Sequence, residues 1–336
     1  MRAARIVALC TLLAGVAPAQ DRQYSIEEIA AMPAKQRANA LAAIRNSDDA
    51  DSTLLALETA ATLRADARRQ AGEPPLFHGC LRADEFELDV QLALARAAYD
   101  SKAYRALVIE YRRLVTALDS ALAAAQASGN WRKKFSHLGH WIEDWRGATD
   151  PAVRELLRRT LLDQAIRVSL SSFEGTRVYG KARATAALRA YDEYLFNRMC
   201  TADENNLNWL KVEVARNGWF DIPRYGKAAD NAAWLMVQHA DGDPDYQAYI
   251  ASILAGKARS GETNSQNFAH LTDRIAVRVG LPQKYATQME CVDGVWLAPN
   301  VDDPERLDAR RAEMGLPTYR EQVAQRRNLH CGKQKR

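Results

Sequence analysis

The chain has 336 residues and a formal charge of +4, with 46 basic side chains against 42 acidic ones. That near-balance argues against a dedicated nucleic-acid binder, which carries a clustered basic excess. Alanine, leucine and arginine dominate, β-branched runs are few, and glycine and proline are sparse before residue 215, so the composition favours helices.

Residues 1–19 have the pattern of a secretory leader. Arg2 and Arg5 precede an apolar run from Ile6 to Val16, and Ala17-Pro18-Ala19 supplies small residues before Gln20. The run is about eleven residues, short of the roughly 20 that span a bilayer. No later stretch is apolar enough to cross a membrane. The expectation is an exported protein, periplasmic or secreted, whose mature chain keeps 44 basic and 42 acidic side chains. The basic end, Arg326 to Arg336, is expected to be a solvated terminus. Cys10 leaves with the leader, and Cys80, Cys200, Cys291 and Cys331 remain. Four cysteines in an oxidising compartment suggest two disulfides with three connectivities, of which Cys80–Cys200 and Cys291–Cys331 are preferred.

Taken in order, Ser25-Ile-Glu-Glu28 is a capping box. Met32-Pro33 ends that helix and restarts another. A long helix is expected from Asp51 or Ser52 to about Gln70, with Leu54, Leu55, Leu57 and Leu63 inward. Asp84 caps the next, and Ser101 to about Ala127 carries the stripe Tyr104, Leu107, Tyr111, Leu114 and Leu118. Trp131, Trp141 and Trp145 are expected to fill a seam between helices, since large aromatic rings dominate core burial. His137, His140 and Glu143 fall on one face but lack a further ligand nearby.

Asp150-Pro151 pairs an N-cap with proline at the first helical position and divides residues 20–150 from a second domain, 151–330. The helix it opens carries Asp163, Gln164 and Arg167. A helix to about Cys200 follows, then another capped by Asp203 or Thr201 and ended by Asn217-Gly218. Trp219 to Tyr225 is expected as a loop, and Arg224 to Ala240 as a helix whose last turn holds His239, where an imidazolium is favoured. Asp243-Pro244 opens the next helix. Residues 266–280 form another, with Phe268, Leu271, Ile275 and Val279 inward. A small β-hairpin is expected over about 287–297, turning at Asp293-Gly294. The fold class is mainly α and multi-helical.

Six ordered motifs carry a resemblance: DQxxR (Asp163, Gln164, Arg167), NGW (Asn217 to Trp219), VQHAD (Val237 to Asp241), LTDR (Leu271 to Arg274), PQKYATQ (Pro282 to Gln288), and Arg310-Arg311 with Gly315-Leu316. Together they resemble the bacterial domain-of-unknown-function family 6624 over roughly residues 152–325. The resemblance implies a domain and no reaction. The chain departs from the family pattern at Phe220, where proline is expected, and at Ala286, where glycine is expected.

The polar residues of these motifs are the site candidates. His239, Asp241 and Asp273 are the catalytic candidates. Asp163, Gln164, Arg167, Gln238, Arg274, Gln283, Tyr285, Thr287 and Gln288 are the binding candidates. If they converge, they build a polar centre among helices that binds a small anion, peptide or glycan, or an ion-pair network that fixes helix register. The alternative is a hydrolase in which His239 acts as general acid–base beside Asp241 or Asp273, with an arginine clamping an anion. No serine elbow, cysteine–histidine pair or glycine-rich phosphate loop is present. No metal site, cofactor, nucleic-acid partner or membrane span is expected.

Overall fold

The computed structural model describes residues 24–71, 80–170, 178, 180–292 and 294–326. Among these residues the regular structure is thirteen α-helices, three single-turn 3-10 helices and one two-stranded antiparallel sheet, the mainly helical fold that the composition predicts. Residues 1–19, where a leader is expected, Asp293 and Cys331 lie outside the described residues.

The chain forms two compact units. Among the described residues the first comprises 24–71, 81–113 and 182–190, and the second comprises 80, 114–170, 178, 180–181, 191–292 and 294–326. The junction expected at Asp150-Pro151 therefore falls inside the second unit.

The first unit contains α1 (Ile26–Ala31), α2 (Ala34–Ile44), α3 (Ala50–Gln70), α4 (Ala83–Ala97) and the beginning of α5 (Ser101–Ser128). Both hydrogen bonds of the Ser25–Glu28 capping box form. Leu41, Leu54, Leu88, Leu92 and Tyr104 make its core. On α3 the buried stripe is Leu54, Leu57, Ala61 and Ala65, while Leu55 and Leu63 are 52% and 63% exposed. A helix turns 100° per residue, so Leu55 cannot share the inward stripe with Leu54, Leu57 and Ala61.

The second unit takes the rest of α5, then α6 (Gly139–Gly147), α7 (Pro151–Arg167), most of α8 (Thr185–Asn217), α9 (Ile222–Gln238), α10 (Pro244–Ser260) and α11 (Ser265–Arg278). Strands β1 (Glu290–Val292) and β2 (Val295–Leu297) follow, then α12 (Leu307–Glu313) and α13 (Tyr319–Arg326). The hairpin register pairs Cys291 with Trp296.

Local chemistry sets most of these boundaries. The Asp150 carboxylate accepts from the amides of Ala152 and Val153 at 2.8 and 3.0 Å, ahead of Pro151. Asp243 does the same for Tyr246 at 2.9 Å, ahead of Pro244. Trp131 and Trp141 are buried as expected, and Trp145 is half-buried with Arg154 over its ring.

Three expectations are corrected. Helix α8 runs unbroken through Thr201 and Asp203, because the Thr201 hydroxyl donates back to the Asn197 carbonyl and Asp203 engages a neighbouring helix instead of capping. Helix α9 begins at Ile222, inside the expected loop, capped by Asp221, and is interrupted at Gly226 (φ 84°). On α11, Val279 is 56% exposed, and Asn267, Ala269, Leu271 and Asp273 are buried.

Cys80 and Cys200 form a disulfide within the second unit. Cys291 is also disulfide-bonded.

Candidate functional site

Three helices of the second unit bring four of its ionisable side chains together. Asp163 and Arg167 stand one turn apart near the end of α7, Asp203 faces them from α8, and His239 is the residue that terminates α9. Arg167 Nε donates to Asp163 Oδ1 at 2.9 Å, and its Nη2 donates to Asp203 Oδ1. His239 Nδ1 lies 3.3 Å from Asp163 Oδ2 and 3.8 Å from Asp203 Oδ1. Gln164 Nε2 donates to Asp163 Oδ2 at 2.8 Å.

The carboxylates are deeply placed, with Asp163 3% and Asp203 9% exposed. The His239 ring keeps 18% of its surface and forms the accessible edge of the group. A cleft of about 330 Å³ opens on Asp163, with Asn205 and Asn206 of α8 in its wall. Arg158 and Arg159 also line it, and both pair with Glu155.

Burial works against charge on Asp163, but the hydrogen bond with His239 and the nearby Arg167 hold its carboxyl below the usual range. Asp203 moves the other way. Burial, with the Asp163 charge added, pushes it up to about 6 against the pull of Arg167. With a neutral ring, two carboxylates and one guanidinium leave one net negative charge inside the protein. A buried charge without a partner is costly, by several kcal/mol.

The other candidates sit elsewhere. Asp241 is held bidentately by Arg274 of α11 and accepts from Gln247 at 3.3 Å. Asp273 is fully buried and accepts from the amides of Lys284, Tyr285 and Thr287 and from the Thr287 hydroxyl, at 2.7 to 3.2 Å. Asp273 therefore does not pair with Arg274. Adjacent residues on a helix point about 100° apart, and each carboxylate of this pair of motifs finds a different partner.

Gln283 closes the same loop. Its amide donates to the carbonyls of Gln288 and Pro299 at 2.9 and 3.0 Å, and its side-chain oxygen accepts from the Gln288 amide at 2.9 Å. Gln288 in turn reaches the His270 carbonyl, and Tyr285 packs with Ala269 and Leu316. Gln238 is buried on α9. Of the twelve candidates, then, Asp163, Gln164, Arg167 and His239 meet in one cluster. Asp273, Gln283, Tyr285, Thr287 and Gln288 build a loop, and Asp241 with Arg274 forms a separate pair.

Sequence reasoning passed over Asp203. Its signal was the spacing Met199, Asp203, Asn206, Leu210, an inward stripe with a carboxylate in it. Also passed over was Asp230, which accepts from Trp219 Nε1 at 2.8 Å and from Thr263 and Asn264; the fully buried Arg311, named in a motif but not among the site candidates, donates to the carbonyls of Pro317 and Tyr285 and to Gln322.

The two departures from the family pattern are both accommodated. Ala286 takes φ 53°, the left-handed region that glycine favours, and is fully buried. Phe220 is buried against Trp209 and Tyr225.

A helical unit that gathers buried ionisable residues from three helices and clamps a polar loop beside a short hairpin is the class of domain described here. The chain belongs to the family of unknown function DUF6624, with the match spanning residues 152–332. No curated protein and no solved structure matches the chain.

Proposed function

We propose that the protein is exported and that its second unit is a binding module, taking a positively charged group at the Asp163–Asp203–His239 cluster. Export is supported by the leader pattern of residues 1–19 and by the Cys80–Cys200 disulfide. Among the described residues no helix is long and apolar enough to cross a membrane.

The observation that carries the binding reading is the charge imbalance of two buried carboxylates that share one guanidinium. A cation at the exposed edge of the ring would neutralise it. An anion is a poor fit, because Arg167 and Arg274 are each already held by carboxylates.

A second reading keeps His239 as a general acid–base. It rests on the 3.3 Å contact with Asp163, which would orient the ring in place of Asp241 or Asp273.

Thermal unfolding of the mature chain with spermidine or inorganic phosphate tests the binding reading. Spermidine is expected to raise the Tm of the wild type by a few °C at saturation and to leave Asp203→Asn unchanged. Stabilisation by phosphate alone would overturn the reading.

A further inference from the structure

We propose that Asp163, Asp203 and His239 form a site for a divalent transition-metal ion of the Zn²⁺ class. The proposal rests on the cation-binding reading above and names the cation.

The three residues offer one ligand atom each, from α7, from α8 and from the end of α9, and these atoms lie within 4.8 Å of one another. His239 Nδ1 lies 3.3 Å from Asp163 Oδ2 and 3.8 Å from Asp203 Oδ1. An ion with bonds of roughly 2.0–2.2 Å holds its ligand atoms about 3–3.6 Å apart, so the distances from the ring are close to fitting and the ligand atoms, within 4.8 Å of one another, must draw together around it.

Arg167 takes Oδ1 of Asp163 and Oδ1 of Asp203. Asp163 Oδ2 accepts from Gln164 and turns its second lone pair to the ring, where an ion would take the place of the proton between them. Asp203 Oδ2 accepts no hydrogen bond among the described residues, although the residue is nine-tenths buried. Asp163 thus presents one oxygen to the guanidinium and the other to the imidazole, whereas Asp203 Oδ1 serves both, accepting from Arg167 and facing the ring at 3.8 Å. In that arrangement Arg167 is the outer partner that fixes both ligands, as hydrogen-bonded carboxylates are fixed around bound metals. The ring would carry its proton on Nε2 and offer the Nδ1 lone pair.

The donor set selects the ion. One imidazole nitrogen with two carboxylate oxygens suits Zn²⁺ and its neighbours, whereas Ca²⁺ and Mg²⁺ prefer oxygen alone. Three protein ligands leave a coordination position for water or an exogenous ligand on the side where His239 is 18% and Asp203 11% exposed. The face expected from His137, His140 and Glu143 gives no such set, and Glu143 pairs with Arg132.

Calorimetric titration of Zn²⁺ into the tag-free mature chain, stripped with chelator and dialysed, tests this. One equivalent is expected to bind saturably, with Asp203→Asn and His239→Gln each weakening it by roughly 100-fold or more. Asp203→Asn keeps the oxygen that Arg167 needs, and its melting curve establishes that the variant folds. His140→Asn is expected to bind like the wild type, and Ca²⁺ to give no heat at the same concentrations. Absence of stoichiometric Zn²⁺ binding, or binding lost in His140→Asn and kept in Asp203→Asn, overturns the metal. If Zn²⁺ fails while spermidine still stabilises the wild type and not Asp203→Asn, the metal assignment falls and the cation-binding reading stands.

Discussion

Asp273 and Asp203 are both carboxylates buried in the second unit, and they are held in opposite ways. Asp273 accepts from the backbone amides of Lys284, Tyr285 and Thr287 and from the Thr287 hydroxyl, four neutral donors brought together only when the loop is folded. Asp203 faces another carboxylate, one shared guanidinium and an imidazole. The first arrangement is closed in its hydrogen bonds, because every donor has its acceptor and the carboxylate is met from four sides, although no ion pair balances its charge among the described residues. The second is open, because its charge balances only with an additional proton or cation. The same residue type thus builds a loop in one place and, in the reading proposed above, leaves a binding capacity in the other.

The largest effect is expected at Asp273. Replacing it with Ala leaves three amides and a hydroxyl buried without acceptors, at a cost of about 3–5 kcal/mol. Asp273→Asn, with one oxygen left to accept, should lose less. Urea unfolding of both variants measures this. A loss of less than about 1 kcal/mol for Asp273→Ala would mean that water replaces the carboxylate and that the loop is not clamped.

A smaller effect is expected at Ala286, whose φ of 53° lies where a side chain is strained. Ala286→Gly relieves that strain, offset in part by the greater freedom glycine brings to the unfolded chain. The net gain should be about 0.5 kcal/mol, a Tm rise of ~1–2 °C, with the polar contacts of Asp273 unchanged. A fall in Tm would show that the buried methyl matters more than the backbone.

This contrast also explains what the sequence could reveal. Helix starts at Ser25, Asp150 and Asp243 were legible because a cap and its recipients lie within four residues. The need for glycine at position 286 was legible from the family pattern and appears as a positive φ. The partners of the buried charges were not. His239 has a carboxylate two residues away in Asp241, yet the helix end turns that side chain to Arg274, and the ring meets Asp163 and Asp203 instead. Asp203 resembles a helix cap in its local sequence, because Thr201 and Asp203 are both capping residues. Only the approach of α7 gives the carboxylate another use. Contacts between residues tens of positions apart leave no local trace beyond an inward polar residue.

The central claim is that Asp163 and Asp203 hold more negative charge than Arg167 can balance. Carboxyl NMR of the metal-free protein, titrated from pH 3 upward with Asp203→Asn as the assignment control, measures it most directly. Asp203 is expected to titrate near its raised value of about 6, while Asp163 stays ionised to below the ordinary 3.8. For Asp203 the folded value lies above the unfolded one. Its contribution to stability is therefore full below about pH 4 and is lost as pH rises through about 6. For Asp163 the contribution is present above about pH 4 and is lost on further acidification. If both carboxyls instead ionise below pH 4, the cluster carries its charges without strain and the case for a cation at this site is contradicted.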